Sequence, residues 1–157
     1  MSSLRDDFDE VDDSLVLVSA CLAGVACRHD GLSLPHPLVL QLVAQGRAIP
    51  VCPETLGGLP VPRATVELRQ GRAVSRTGED LTEAFLAGAR LALALGQTQG
   101  CRQAILKSRS PSCGLGQVYD GSFSGVLVPG DGLFAALLKA RGLAVWSEED
   151  VGAEAPG

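Results

Sequence analysis

Short apolar runs alternate with amphipathic stretches along this chain of 157 residues. The continuous aliphatic run Leu15–Ala20 predicts a buried parallel strand. A stretch with helical spacing follows Pro37, and proline is favoured in the first turn of a helix. The next apolar segment, Arg47–Val51, predicts a second strand. Pro50 lacks a backbone N–H, which indicates either an edge strand or the start of a strand.

The rest of the chain continues the alternation. Apolar residues between Glu79 and Leu95 share one helical face, and Gly96 is expected to end that helix. Two hairpins are predicted, about Gln70-Gly71 and Asp120-Gly121, and residues 55–63 are expected to form a loop. The other predicted elements are a strand at Ala104–Lys107, a helix at Leu133–Ala140 capped by Asp131, and a strand at Leu143–Trp146. Strands alternating with helices predict a Rossmann-like α/β fold, with a largely parallel sheet and flanking helices.

One domain is expected, over residues 14–150. Residues 1–13 carry six acids and one base and are predicted to form a disordered acidic tail, with a flexible C-terminal tail over 151–157. Residues 14–146 then hold 8 acids and 12 bases. This basicity is mild and unclustered, so it suits a small polar or anionic ligand and gives no nucleic-acid footprint.

No apolar stretch approaches the roughly 18 residues of a membrane span, so no membrane association is expected. The acidic N-terminus does not resemble a secretory signal. A cytoplasmic protein is therefore predicted. The sequence gives no oligomeric state.

Cysteines carry the most information about function. Their odd number and reducing compartment argue against a disulfide framework, and no C-x-x-C pair is present. Cys21 follows the first predicted strand, Cys52 the second, and Cys113 lies in the loop after the third. The carboxyl ends of parallel strands share one edge, where ligands bind, so the three thiols are expected to converge there. Neighbouring glycine or proline residues let the backbone approach a bulky ligand closely.

Three thiolates suit a soft metal or an iron–sulfur cluster, and a cluster with three cysteine ligands leaves one iron open. Spacing alone leaves zinc, a cluster and a redox-active thiol as alternatives, besides simple burial of cysteine as a small hydrophobe. Cys27 could be a fourth ligand, a sensor thiol or inert. Cys101 precedes its strand, at the amino end, and is predicted to pack in the core.

Several segments, in this order, resemble the thiouracil desulfidases, a family first described as a domain of unknown function. The most specific are Cys52-Pro-Glu54 and Ser110-Pro-Ser-Cys-Gly114 together, since either alone would be weak. The resemblance runs from about Leu15 to Glu149. His29 is a departure, because tyrosine is common there. Further matching segments are Ser19-Ala-Cys-Leu-Ala-Gly24, Arg28-His-Asp-Gly31, Gly57-Gly-Leu59, Pro62-Arg63, Ala104-Ile-Leu-Lys107 and the later YDGSFSG and GDGLFAALL.

The resemblance implies a 4Fe–4S cluster and release of sulfide from 2-thiouracil, or a related thiolated pyrimidine, without net redox chemistry. It implies Glu54 as the catalytic acidic residue and Ser110 as the catalytic serine, with Ser112 as the alternative. It also implies cluster-assembly machinery as a partner and an oxygen-sensitive enzyme. The implied cluster ligands are Cys21, Cys52 and Cys113.

These residue types suit that chemistry. Hydrolysis of a carbon–sulfur bond needs the sulfur to be polarised as a leaving group and the water to be deprotonated, here by a carboxylate. A serine hydroxyl can donate a hydrogen bond to the ring. Lys107, Arg109 and Arg28 could offset thiolate charge or simply be solvated. Two other functions stay open: a zinc or thiol hydrolase, and a non-enzymatic iron–sulfur or redox-sensing module.

Overall fold

The computed structural model describes residues 14–151, which form eight strands and four helices. The strands are β1 (Val16–Ser19), β2 (Ala48–Val51), β3 (Val66–Arg69), β4 (Arg72–Ser75), β5 (Gln103–Leu106), β6 (Gln117–Tyr119), β7 (Leu127–Pro129) and β8 (Ala144–Ser147). The helices are α1 (Pro37–Ala44), α2 (Pro53–Leu56), α3 (Thr82–Thr98) and α4 (Leu133–Ala140). A 3-10 turn, Ala20–Ala23, follows β1 directly. None of the helices in this part of the chain is both long and apolar enough to cross a membrane.

The central sheet has four strands in the order β2-β1-β5-β8, and every neighbouring pair is parallel. The predicted α/β class with a parallel sheet is therefore confirmed. β2 lies at an edge, which is one of the two positions that its proline indicated. The hairpins β3-β4 and β6-β7 are also confirmed, as separate two-stranded units beside the sheet.

The alternation of side chains along each strand divides the core between the two sheet faces. Val16 and Val18 face α1 and pack with its Leu38 and Leu42. Leu17 points the other way, into a cluster formed with α3 and α4. The residues of α3 and α4 in that cluster are Ala89, Ala92, Leu93, Phe134, Ala135 and Leu138. The sheet is thus covered by helices on both faces, as a parallel sheet requires.

Close backbone contact holds α2 against α3. A Cβ atom on Gly88 would lie 1.7 Å from the Pro53 carbonyl oxygen, and one on Gly57 would lie 2.1 Å from that of Ala84. Only glycine fits at either position. Because α2 begins immediately after Cys52, this contact anchors the segment that carries one of the predicted site thiols.

Three predicted boundaries are wrong. α3 starts at Thr82 rather than Glu79, because Leu81 N donates to Ala73 O and Glu79 O accepts from Ser75 N, which ties these residues to β4. Gly96 lies inside α3 instead of ending it, packed directly on the Leu17 side chain. The first part of the predicted loop 55–63 belongs to α2.

Asp131 does not cap α4, whose N-cap is Gly132. The Asp131 carboxylate instead accepts from the backbone N–H of Gly116 at 2.8 Å. The predicted acidic tail, residues 1–13, and residues 152–157 of the predicted C-terminal tail lie outside the described residues. Val151 is fully buried in the core, so the packed region extends one residue beyond the predicted domain boundary at residue 150.

Candidate active site

A cavity of about 330 Å³ lies at the carboxyl edge of the sheet, where β1, β2 and β5 end. Its walls include Cys21 after β1, Cys52 after β2, and Cys113 from the loop after β5. These three residues lie far apart in the sequence. The parallel topology of the sheet brings them together at one edge, as predicted.

Local backbone structure fixes each thiol. Cys21 lies in the 3-10 turn, and its carbonyl accepts hydrogen bonds from the backbone of Gly24 and Leu34. Cys52 is the N-cap residue of α2, and its carbonyl accepts from the Thr55 hydroxyl at 3.1 Å. Each cysteine is therefore placed at the junction between a strand end and the element after it.

The Cys113 loop is held by the first turn of α4. Backbone N–H groups of Leu133 and Phe134 donate to the carbonyls of Pro111 and Ser112 at 2.9 and 2.8 Å. A Cβ on Gly132 would lie 2.4 Å from Ser112 O, so this contact is backbone against backbone. The helix thereby satisfies its own free N–H groups and locks the loop.

Burial governs the charge state of two of these thiols. It raises the pKa of Cys21 to about 11, against the opposing field of Lys107. Burial likewise raises the pKa of Cys113. Cys52 differs: a hydrogen bond with the Cys27 thiol lowers its pKa. A bound metal centre would deprotonate all three, since a coordinating thiol gives up its proton.

Cys27 also lines the cavity and is buried. Its carbonyl oxygen lies 3.9 Å from the Cys52 sulfur. The sequence left its role open, and the structure brings this fourth thiol beside Cys52. Cys101 lies at the amino end of β5, buried in the core and outside the cavity lining, where it was predicted to pack.

Glu54 lines the same cavity and forms an ion pair with Arg63, from the loop between α2 and β3. Arg63 Nε donates to Glu54 Oε1 at 2.9 Å, and the two side chains are only 7% and 14% exposed. Burial raises the pKa of Glu54, and the Arg63 guanidinium opposes this rise. The acidic residue that the resemblance implied is thus a buried, oriented carboxylate.

The three serines of the loop after β5 have different surroundings. Ser108 donates its hydroxyl to Glu148 at 3.0 Å. Ser112 is fully buried, does not line the cavity, and its Oγ has no hydrogen-bond partner within residues 14–151. Ser110 lines the cavity, and its oxygen accepts from the backbone N–H groups of Ser112 and Cys113 at 3.1 and 2.9 Å. These two bonds leave the Ser110 O–H proton free to be donated.

The cationic side chains around the cavity are each paired with a carboxylate. Arg28 pairs with Asp30 at 3.2 Å, and Lys107 pairs with Glu148 at 3.0 Å. Arg109, whose φ of 62° is left-handed, pairs with the exposed Glu149 at 2.9 Å. These cations therefore add little net positive charge to the mouth of the cavity.

The described residues contain no cluster of three or more His, Cys, Asp or Glu side chains arranged around a single metal ion. The three thiols instead share the walls of one cavity of about 330 Å³. Their soft donor set suits iron–sulfur chemistry. The thiols that line the cavity therefore fit an iron–sulfur cluster.

Thiols and a buried carboxylate that share one cavity in an α/β fold are a set of side chains suited to a soft metal centre and to acid–base chemistry. A sequence model of the 2-thiouracil desulfurase family matches residues 16–150. The chain therefore belongs to the 2-thiouracil desulfurase family, which confirms the resemblance carried by its motifs.

Two relatives show how close the match is. YbbK of Bacillus subtilis (strain 168), described as uncharacterized, is 39% identical over 147 residues, which cover 87% of this chain and 97% of YbbK. The solved structure of the 4Fe–4S-dependent thiouracil desulfidase TudS is 45% identical, with a TM-score of 0.83. That match covers 87% of this chain and 91% of TudS.

Sequence reasoning assigned no role to Arg63 or Tyr119, which both line the cavity. Arg63 follows a loop rich in glycine and proline, where an arginine is ordinarily solvated. Its burial depends on the fold of that loop. The family-like segment Pro62-Arg63 was the signal that marked this residue, but it carried no role. Tyr119 reaches the cavity because it is the last residue of β6. The sequence predicted this strand but gave no sign that it ends at the cavity.

Proposed function

We propose that this protein hydrolyses the carbon–sulfur bond of 2-thiouracil or a related thiolated pyrimidine, releasing sulfide and leaving oxygen on the ring. The observation that carries the proposal is one cavity that joins three thiols to a buried carboxylate and a serine hydroxyl. Family membership and the likeness to TudS support the same reaction.

Cys21, Cys52 and Cys113 would hold a 4Fe–4S cluster. With three protein ligands, the cluster when bound supplies Lewis-acid polarisation of the substrate sulfur. Cys27 belongs to the cavity as a neighbour of Cys52 rather than as a ligand in this proposal. Cys101 lies outside the cavity lining.

Glu54 is the general base in this reaction. Its carboxylate lines the cavity and is held through one oxygen by Arg63, so it can accept a proton from the water that attacks the ring carbon. The proton of that water passes to Glu54 as the carbon–oxygen bond forms. Sulfur then leaves with the electron pair of the carbon–sulfur bond, so water and thiouracil give uracil and hydrogen sulfide with no electron donor.

Ser110 orients the substrate ring. Its oxygen is occupied by two backbone N–H groups, so the hydroxyl proton is the part available to the cavity. It can donate to a ring nitrogen or exocyclic oxygen and balance the negative charge that develops as water attacks. Ser112 lacks access to the cavity and is not assigned this role.

Isotope labelling tests the reaction. Protein reconstituted anaerobically with iron and sulfide is mixed with 2-thiouracil in ¹⁸O-labelled water, without a reductant. We expect uracil carrying one heavy oxygen and one sulfide released for each uracil formed. A requirement for an electron donor would contradict hydrolysis.

Metal replacement tests the site. Equal turnover by zinc-loaded, iron-free protein would support a zinc hydrolase in place of the cluster enzyme. An iron-loaded protein that releases no sulfide from any thiolated pyrimidine would leave the non-enzymatic module as the better description.

A further inference from the structure

The loop between α2 and β3 delivers a buried arginine to the cavity. Arg63 uses all three of its guanidinium nitrogens as donors. Nε donates to Glu54 Oε1 at 2.9 Å, Nη1 to Pro60 O at 3.0 Å, and Nη2 to Cys27 O at 3.0 Å. The side chain is therefore fixed in three directions at once, which a flexible surface arginine is not.

Glu54 depends on this one donor. Among residues 14–151, Arg63 is the single group that donates a hydrogen bond to the Glu54 carboxylate, and it contacts only Oε1. The other oxygen, Oε2, has no partner in that part of the chain. One oxygen is thus held while the second remains available to accept a proton.

We propose that Arg63 is a positioning residue, which fixes the Glu54 carboxylate through Oε1 and leaves Oε2 to act as the base. This rests on the function proposed above. Arg63 is not assigned contact with the substrate. The fork of an arginine can hold the carboxylate and two carbonyls in fixed directions, whereas a lysine offers one flexible point charge.

The arrangement also connects Glu54 to the thiols. The Cys27 carbonyl that accepts from Arg63 belongs to the residue whose thiol contacts Cys52. Glu54 itself follows Cys52 by two residues. Arg63 therefore ties the Glu54 carboxylate to the backbone of Cys27, beside Cys52, and limits where the base can lie relative to the thiols.

A double-mutant cycle tests the proposal. The rate per bound cluster is measured for the wild type, Glu54→Gln, Arg63→Gln and the double variant. We expect Arg63→Gln alone to lower kcat by roughly ten- to a hundredfold, with a smaller change in KM. In the Glu54→Gln background the same change should cost less than about threefold, because the group through which Arg63 acts is already lost. An equal loss in both backgrounds would overturn the proposal.

The variant Arg63→Lys separates the effect of positioning from the effect of charge. It also replaces Arg63→Gln as the test if that variant does not fold. It keeps the charge and loses the fork, so kcat should remain well below that of the wild type; full recovery would show that charge alone suffices and contradict positioning. Arg72→Gln is the matched control, since Arg72 pairs with Asp80 on the exposed surface, outside the cavity lining. It should leave kcat and KM unchanged.

A crystal structure of Arg63→Gln without the cluster gives a readout independent of activity. We expect the Glu54 carboxylate to move while the backbone of Cys27 and Cys52 stays in place. An unmoved carboxylate would overturn the proposal. If Glu54→Gln itself turns over like the wild type, Glu54 is not the base, and the proposed function loses that step separately from any result on Arg63.

Discussion

Cysteines lie at both edges of the parallel sheet, and the two edges surround them differently. Burial does not distinguish them, because Cys101 is 8% exposed and Cys21 and Cys113 are 7% and 5% exposed. At the amino edge, Cys101 packs among aliphatic side chains, and burial is the only cause that raises its pKa. At the carboxyl edge, the thiols face a cavity shared with a carboxylate, a serine and other thiols.

The end of the strand at which a cysteine lies therefore decides whether its thiol packs in the core or is available for a site. At the carboxyl edge, the segments that follow β1, β2 and β5 each bring one predicted ligand thiol to the cavity. At the amino edge, Cys101 lies two residues before β5 and packs in the core cluster that includes residues of α3 and α4.

Exposure to air should have the largest effect, and it should act at the carboxyl edge alone. A cluster with three thiolate ligands has one iron without a protein ligand, so oxygen can reach it. We expect air-purified protein to be almost inactive and to regain sulfide release after anaerobic reconstitution. Full activity of air-purified, iron-free protein would contradict this.

Glu54→Gln should lower the rate of sulfide release by about 10²–10⁴-fold, the usual effect of losing a positioned general base. Glutamine keeps the size of the side chain and removes the base. Because Glu54 is not a proposed ligand, iron and sulfide content should stay at the wild-type value. Loss of the cluster in this variant would show a structural role instead.

Ser110→Ala should reduce the rate by a similar or smaller factor. It also removes the acceptor for two backbone N–H groups of the Cys113 loop, at a cost of about 1–2 kcal/mol in the free energy of unfolding. Ser110→Thr keeps the hydroxyl and should recover most activity. Ser112→Ala is the control, since removing a buried hydroxyl that has no partner among the described residues should change little. A larger loss of rate in Ser112→Ala than in Ser110→Ala would assign the catalytic hydroxyl to Ser112.

Gly88→Ala should act on stability. Its new methyl group would strike the Pro53 backbone, so the segment with Cys52 and Glu54 must shift. We expect a loss of about 1–3 kcal/mol, seen as a fall of several degrees in Tm. Gly96→Ala should cost less, because its methyl group meets a leucine side chain rather than backbone. A Tm for Gly88→Ala at or above that of Gly96→Ala would show that α2 is not held by this contact.

The periodic signals predicted most of the fold. β1, α1 and both hairpins follow from apolar runs, proline and turn residues, and the convergence of Cys21, Cys52 and Cys113 follows from parallel topology. The start of α3 could not be predicted, since it depends on pairing of residues 79–81 with β4. The Glu54–Arg63 pair needs the three-dimensional path of a loop without periodicity, and no local pattern in the sequence encodes it.

Iron and sulfide content of single cysteine variants tests the contrast between the edges most directly. Cys21→Ala, Cys52→Ala and Cys113→Ala, each reconstituted anaerobically, should fail to retain the cluster, because only two thiolate anchors remain. Cys101→Ala and Cys27→Ala should bind iron and sulfide as the wild type does. A full complement of iron in any of the first three variants, or its loss from Cys101→Ala, would contradict the assignment of the cluster to the carboxyl edge.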